Sequence, residues 1–272
     1  MKKERDYILG THEEELARLG LQHRIWRPIA LNCWHKAGIT IGSRVLDLGA
    51  GPGYAATDLA EIVGPTGKVV ALERSNNFVR AFKERTEIRR LTNIELHELD
   101  LMTDELPAGP FDFTWCRWVA TFVSDPALLV AKAARVLRPG GVALFHEYGH
   151  YLTWRYIPRL PNQERFAKEV EASWAAAGGK ADVGPDLPGY LNANGFRLHS
   201  ISPLIYCVRP NEYMWQWPVS FVGIGLARLQ ELGRINAGFA EQVNADIAAA
   251  QANPDAILIT PLVLEIIAAK TA

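Results

Sequence analysis

The chain has 272 residues, 49% of them apolar, which is enough to bury a sizeable core, and its 29 Lys and Arg against 30 Asp and Glu leave a formal charge of -1. That balance carries no long electrostatic footprint for nucleic acid or an anionic lipid surface, so a small-molecule partner is expected. Cys33, Cys116 and Cys207 are odd in number, far apart and free of C-x-x-C spacing. They argue against a disulfide framework and a zinc site, and for buried thiols in a reducing compartment.

At the N-terminus, MKKERDYILGTHEEE is charged throughout and lacks the apolar core of a signal peptide. No run reaches the roughly 18 to 20 apolar residues that span a bilayer, so a cytoplasmic protein off the membrane is the expectation. EEELARLGLQHRIWRPIALNCWHKAG reads as a helix, a break at Pro28, and a second helix ending near Gly38; residues 1–43 form an N-terminal helical cap.

Next come the short apolar runs RVLDLG, KVVALE, NIELHELD, FDFTWC and GVALFHE, each separated by a helix-sized segment. This alternation predicts β-α-β units and a mostly parallel sheet over residues 44–148. SNNFVRAFKERTEIRRL and DPALLVAKAARVL are the amphipathic connections, with Ser75 and Asp125 placed to cap them. Residues 149–190 hold a Trp-rich linker and a helix ended by Gly178 and Gly179, expected to lie over the rim of the sheet as a lid. Residues 191–272 read as C-terminal strands with inserted helices: a short helix closes on Gly195, RLHSISPLIYCVRP is strand-like, about forty residues are helical, and AILITPLVLEIIAAK is the last strand. With no internal repeat, a single domain over 1–272 is the economical division.

The first β-α turn, VLDLGAGPGYAA, carries the chemistry. A dinucleotide fingerprint needs G-x-G-x-x-G, but Gly49, Gly51 and Gly53 give G-x-G-x-G, with Tyr54 where the third fingerprint glycine belongs. Four segments in order, VLDLGAGPGY, VVALERS, IELHELDLMTD and RVLRPGG, resemble the class I S-adenosylmethionine-dependent methyltransferases. The resemblance implies an α/β, Rossmann-like doubly wound fold with a seven-stranded, mostly parallel sheet whose last strand is antiparallel, and S-adenosyl-L-methionine as cofactor. It implies that Glu73, ending the second strand, binds both ribose hydroxyls and that Asp100, with Glu98 and Asp104 as its nearest rivals, accepts from the adenine amino group. A carboxylate can indeed accept from two vicinal hydroxyls at once, and such charge-assisted bonds are strong.

Around these, the turn residues Gly49, Ala50, Gly51, Gly53 and Tyr54 are where backbone N–H groups approach the cofactor. Arg74 and Leu101 flank the two acids and are candidates for adenine contact. Asp47, a charge between Leu46 and Leu48, must be paired to be tolerated; shaping the turn and holding the ammonium of the methionine tail would be its work. Arg117 and Trp118 follow the fourth strand, where an open α/β sheet presents its crevice, and are candidates for the methionine part or the substrate. In the minimal family form the last two strands are a hairpin, whereas here helical residues intervene.

The fifth strand ends in HEYGHY, and His146 is the expected general base. No metal is expected there, since His146 and His150 would share a face only in a helix and the run reads as strand. Tyr7, Gln22 and Arg27 of the cap are further candidates to reach the ligand. Trp154, Trp174, Trp215 and Trp217 fall in the added segments, as core or as walls of an apolar acceptor pocket. The expected function is transfer of a methyl group by in-line displacement to O, N, C or S of a small, largely apolar methyl acceptor, with no nucleic-acid partner. The alternatives are an NAD(P)-dependent oxidoreductase and a non-catalytic S-adenosylmethionine-binding scaffold. Oligomeric state is not written in the sequence, a homodimer being one option.

Overall fold

The five apolar runs are strands of one sheet, and their order explains why they are apolar nearly throughout. In the computed structural model, which describes residues 13–271, β1 (Arg44–Leu48) lies at the centre, paired in parallel with β2 (Lys68–Glu73) on one side and β4 (Phe111–Arg117) on the other. β3 (Ile94–Glu98) adds outside β2, and β5 (Leu137–His150) outside β4. Helices cover both faces, so Val45, Leu46 and Leu48 are all fully buried and the strand cannot alternate apolar with polar. The connecting helices are α2 (Tyr54–Val63), α3 (Asn76–Ile88) and α4 (Pro126–Val136). Ser75 Oγ and Asp125 Oδ1 accept from the N–H groups of Phe78 and Leu128, capping α3 and α4 as their positions predict.

The N-terminal helix differs from expectation. α1 (Glu13–Ala37) runs straight through Pro28. Pro28 and Arg24, whose carbonyl the proline ring deprives of its donor, are both on the exposed face, where that carbonyl is open to solvent. The opposite face carries buried Ile25, Trp26, Ala30, Cys33 and Trp34, and their packing outweighs the proline penalty.

Beyond the core, β6 (Arg155–Ile157), α5 (Pro161–Ala176), α6 (Leu187–Ala193) and β7 (Phe196–Leu204) precede β8 (Cys207–Val208), α7 (Gln216–Glu231) and α8 (Ala237–Ala252). The expected last strand is two: β9 (Ile257–Ile259) and β10 (Leu262–Lys270). The chain changes sheets at Thr260-Pro261, where Thr260 N–H donates to the Tyr206 carbonyl and its hydroxyl accepts from the Tyr206 N–H. β10 then runs antiparallel between β5 and β7, giving the order β3-β2-β1-β4-β5-β10-β7. β9 instead pairs antiparallel with β6 and β8 in a separate three-stranded sheet that sequence patterning did not foresee. Two-residue and three-residue strands are too short to show a period of two.

That small sheet and helices α5, α7 and α8 enclose their own aromatic core of Tyr151, Trp154, Tyr156, Phe166, Trp174, Trp215 and Phe221. Among the described residues no helix is long and apolar enough to cross a membrane.

A buried polar junction ties cap to sheet. Glu265 of β10, 1% exposed, accepts from Lys36 Nζ of α1 at 3.0 Å and faces His146 Nε2 of β5 at 3.2 Å, beside the Cys33 thiol. Burial by itself would raise the Glu265 pKa, but the hydrogen bonds from His146 and Lys36 overcome that and hold it at about 2. Because this folded value lies below the ordinary 4.5, the stability it contributes is complete above about pH 4.5 and is lost as pH falls toward 2. Glu265→Ala is expected to lower stability by about 3 to 5 kcal/mol at neutral pH and to weaken the dependence of stability on pH between those limits. Urea unfolding at a series of pH values checks both, and equal midpoints for the two proteins would contradict the role.

Candidate functional site

Parallel strands all end on the same edge, and there the structure opens into a cavity of about 800 Å³. β1 ends at Leu48 and the chain turns through Gly49–Gly53 into α2. Gly51 has φ +56° and no atom within 4 Å of where a Cβ would lie, so its backbone faces open space in the cavity. Gly53 has φ +82°, and a Cβ there would sit 2.2 Å from the Phe82 ring. It is the pivot of the turn and, unlike Gly49, Ala50, Gly51 and Tyr54, does not line the cavity. α2 starts with no side-chain cap, leaving its first N–H groups to the cavity side.

Glu73, at the end of β2, is locked by backbone. Its Oε2 accepts from Gly51 N–H at 2.8 Å, and its Oε1 accepts from the N–H groups of Arg74 at 2.9 Å and Ser75 at 2.8 Å. Burial raises its pKa and these three donors oppose the rise. After β3, Asp100 also lines the cavity; its Oδ1 accepts from Met102 N–H, and Arg74 Nη1 lies 3.6 Å from its Oδ2. Leu101 closes the floor beside it. Asp104 accepts from the Asp100 N–H outside the cavity, supporting the loop.

Asp47 lies inside β1 at 2% exposure, and burial pushes its pKa up to about 7, with Arg117 opposing and Glu73 reinforcing. Its Oδ2 has no hydrogen-bond partner among the described residues. Arg117, at the end of β4, lines the same cavity; burial takes its pKa down to about 10, and its Nη1 is likewise without a partner. Its Nη2 donates to His23 Nδ1 at 3.1 Å, and His23 Nε2 lies 3.0 Å from Asp58 Oδ2, which also accepts from Arg27 Nε at 2.6 Å. Those contacts assign the proton to Nε2 of a neutral ring, consistent with the lowering of the His23 pKa by burial.

The loop after β4 forms the roof, and a buried acid shapes it. Glu147, fully buried on β5, accepts from the N–H groups of Val119 at 2.8 Å and Ala120 at 2.9 Å and from Thr121 Oγ1 at 3.0 Å. Burial pushes its pKa up to about 7 against those bonds. Trp118, just before them, is held at φ +52°, a conformation costly for an aromatic residue. Its ring stacks on Trp217 at 5.6 Å and Tyr148 at 6.1 Å, and Trp26 meets it edge-on. Trp118 and Trp115 are the tryptophans that line the large cavity among the described residues. Trp154, Trp174 and Trp217 instead border a recess of about 40 Å³ beside it, and Trp215 is core.

The structure does not bring His146 to the cavity. It is wholly buried between the Trp26 and Trp115 rings with its Nε2 on Glu265, and burial lowers its pKa. The strand-end position suggested a base, but the side chain points to the α1 face of the sheet, and only its carbonyl serves the site, by accepting from Trp118 N–H. Of the cap candidates, Gln22 lines the cavity, Arg27 turns to Asp58, and Tyr7 lies outside the described residues. Sequence reading missed Leu19 and His23 of α1, Ser173 of α5, and Arg228, Leu232 and Arg234 at the end of α7. None carries a local motif; for His23 the one signal is that it shares a helix face with Leu19 and Gln22. Cys33, His146 and Glu265 form the trio of metal-capable donors found among the described residues, and they are already bonded to one another and to Lys36.

Comparison with known proteins agrees with this edge of the sheet. The family described as "Methyltransferase domain" matches residues 46–145. A demethylmenaquinone methyltransferase of Lactococcus lactis is 31% identical over 129 residues, 47% of this chain and 50% of that protein. An uncharacterized 37.1 kDa protein in a transposon of Streptomyces fradiae is 40% identical over 100 residues, 37% of this chain and 28% of that protein. The chain thus spans half or less of the length of these curated relatives. Among solved structures, a phosphoethanolamine N-methyltransferase of Haemonchus contortus, in complex with phosphomonomethylethanolamine and S-adenosylhomocysteine, shares the fold with TM-score 0.58 at 17% identity, over 93% of this chain and 56% of its own.

Removing the acid that anchors the roof should be costly. Glu147→Ala is expected to lose about 3 kcal/mol or more in urea unfolding and to alter the near-ultraviolet signal of Trp118, with Glu147→Gln losing less because it keeps one acceptor. An unchanged midpoint for the alanine variant would contradict this.

Proposed function

We propose, on the premise that residues 46–145 give this chain a class I S-adenosylmethionine-dependent methyltransferase domain, that the whole protein transfers a methyl group from S-adenosylmethionine to a small-molecule acceptor. The observation that carries the reading is the set of unmet demands in the cavity: an orphan Asp47 oxygen, an orphan Arg117 nitrogen and open space at Gly51, beside the locked carboxylate of Glu73. A zwitterionic amino-acid tail would satisfy the first two, its ammonium at Asp47 and its carboxylate at Arg117. Glu73, which lines the cavity, would accept from ribose hydroxyls while keeping its backbone donors. Arg74, Asp100 and Leu101, which line the same cavity, would take the adenine ring.

The cofactor supplies an electrophilic methyl group on a sulfonium. The chain's own work is to align and to exclude water, and good alignment is worth on the order of 7 to 11 kcal/mol. Both nitrogens of His23 are engaged, so this imidazole orients Arg117 and is not available as a base. Phe122, Val123, Leu232 and Trp118 give the acceptor side an apolar wall. The quinone-modifying relative supports a small acceptor with an apolar body; of the three free cysteines Cys33 and Cys116 are buried as expected, whereas Cys207 is exposed, and a cytoplasmic setting rests on their lack of a disulfide.

Glu73→Ala is expected to weaken S-adenosylhomocysteine binding by about 1.5 to 3 kcal/mol, roughly 10- to 150-fold in calorimetry. Unchanged affinity, or tighter binding of NADH than of S-adenosylhomocysteine by the wild type, would refute the reading. pH supplies an independent check. With a folded pKa of about 7 against an ordinary 3.8, Asp47 is mostly protonated below pH 7, and a ligand ammonium favours its ionised form. Affinity should therefore rise from pH 5.5 to 7.5, by up to about tenfold per unit at the acid end. Asp47→Asn should bind more weakly and flatten that slope; a steep slope retained in the variant would remove Asp47 from the site.

A further inference from the structure

The end of the cavity away from the glycine turn is charged, and in the opposite sense. Among the described residues the carboxylates lining the cavity are Asp47, Glu73 and Asp100, all at the turn end, where Arg117 faces the first and Arg74 the last. Arg228, in the last turn of α7, and Arg234, just beyond it, line the far end with no carboxylate of the cavity beside them. The backbone folds back between them, Arg234 N–H donating to the Leu229 carbonyl at 2.9 Å, and both residues line the cavity. Across from them α5 ends in Ser173, Ala176 and Ala177, side chains too small to fill the space.

Neither arginine is fully used by the protein. Arg228 Nη1 pairs with Glu231, one turn on in α7 and 61% exposed; Arg234 Nε lies 3.4 Å from Glu169 of α5. The exposed Arg228–Glu231 pair is weak and screened by salt, whereas the Arg234–Glu169 pair, 30% and 31% exposed, is partly buried. Arg228 Nε is buried without a hydrogen-bond partner among the described residues, and Arg234 Nε meets Glu169 as an ion pair without hydrogen-bond geometry, so a ligand acceptor would improve on both.

We propose that this wall is the anion-recognition part of the acceptor site, so that the acceptor is an amphipathic small molecule with an apolar body and a carboxylate or phosphate group. The inference rests on the methyltransferase reading and deepens it. Two forked guanidinium groups match a planar carboxylate or a phosphate, while Phe122, Val123 and Leu232 contact the apolar body between that anion and the turn.

The test uses the full chain saturated with S-adenosylhomocysteine, titrated by calorimetry and thermal shift with phenyl phosphate, phenylacetate and, as a neutral counterpart, phenylacetamide. At least one anion should bind about tenfold or more tighter than the amide, with affinity falling as salt rises, and the preferred anion separates phosphate from carboxylate recognition. Arg228→Gln together with Arg234→Gln should abolish that preference while leaving S-adenosylhomocysteine affinity unchanged, which also shows that the variant is folded. No charge preference in the wild type, or an undiminished one in the variant, overturns the proposal. Failure of the wild type to bind S-adenosylhomocysteine at all would instead overturn the methyltransferase reading.

Discussion

The hydrogen bond from the Gly51 amide to the Glu73 carboxylate joins the end of β1 to the end of β2, and the geometry of the cavity follows from it. It holds a glycine turn of positive φ open on its outer face, and together with the Arg74 and Ser75 amides it fixes the Glu73 carboxylate at the cavity. A turn of three left-handed glycines is entropically expensive to order, so an acid that gathers three N–H groups sets the site before any ligand arrives.

Four buried acids on neighbouring strands illustrate how one residue type takes different work from its neighbours. Glu265 is gripped by a lysine and a histidine and stays ionised far into acid. Glu147 is held by the backbone of one loop and shapes the roof. Glu73 spans two strands' ends. Of the four, Asp47 alone keeps a buried oxygen without a hydrogen-bond partner among the described residues, and it lines the cavity. The polar chain Asp58–His23–Arg117 then crosses from α2 through the cap helix to the same spot, so α1 is part of the site's electrostatics as well as its cover.

The helical additions do two jobs on two faces. Inward-facing tryptophans build a second core, which explains why most of them do not line the cavity, while the last turns of α5 and α7 supply its outer wall. A sheet shared with distant relatives does not by itself fix this cavity, because the helical additions border it together with the loop after β4.

By itself the sequence determined the parallel sheet, the glycine turn and the capped helices, because each depends on spacing within one β-α unit, where periodicity and turn chemistry act over a few residues, while Glu73 and Asp100 were singled out by the four-segment resemblance and Asp47 by its charge inside an apolar strand. Only the tertiary structure decided that α1 passes through Pro28, that Thr260-Pro261 sends the chain from one sheet to another, that His146 is packed away on Glu265, and that His23, Arg228 and Arg234 reach the cavity. Those outcomes rest on contacts between residues 119 apart or across separate helices, and on which face of an element wins burial. Local patterns carry no record of either, since packing energy is summed over neighbours that the chain meets only after it folds.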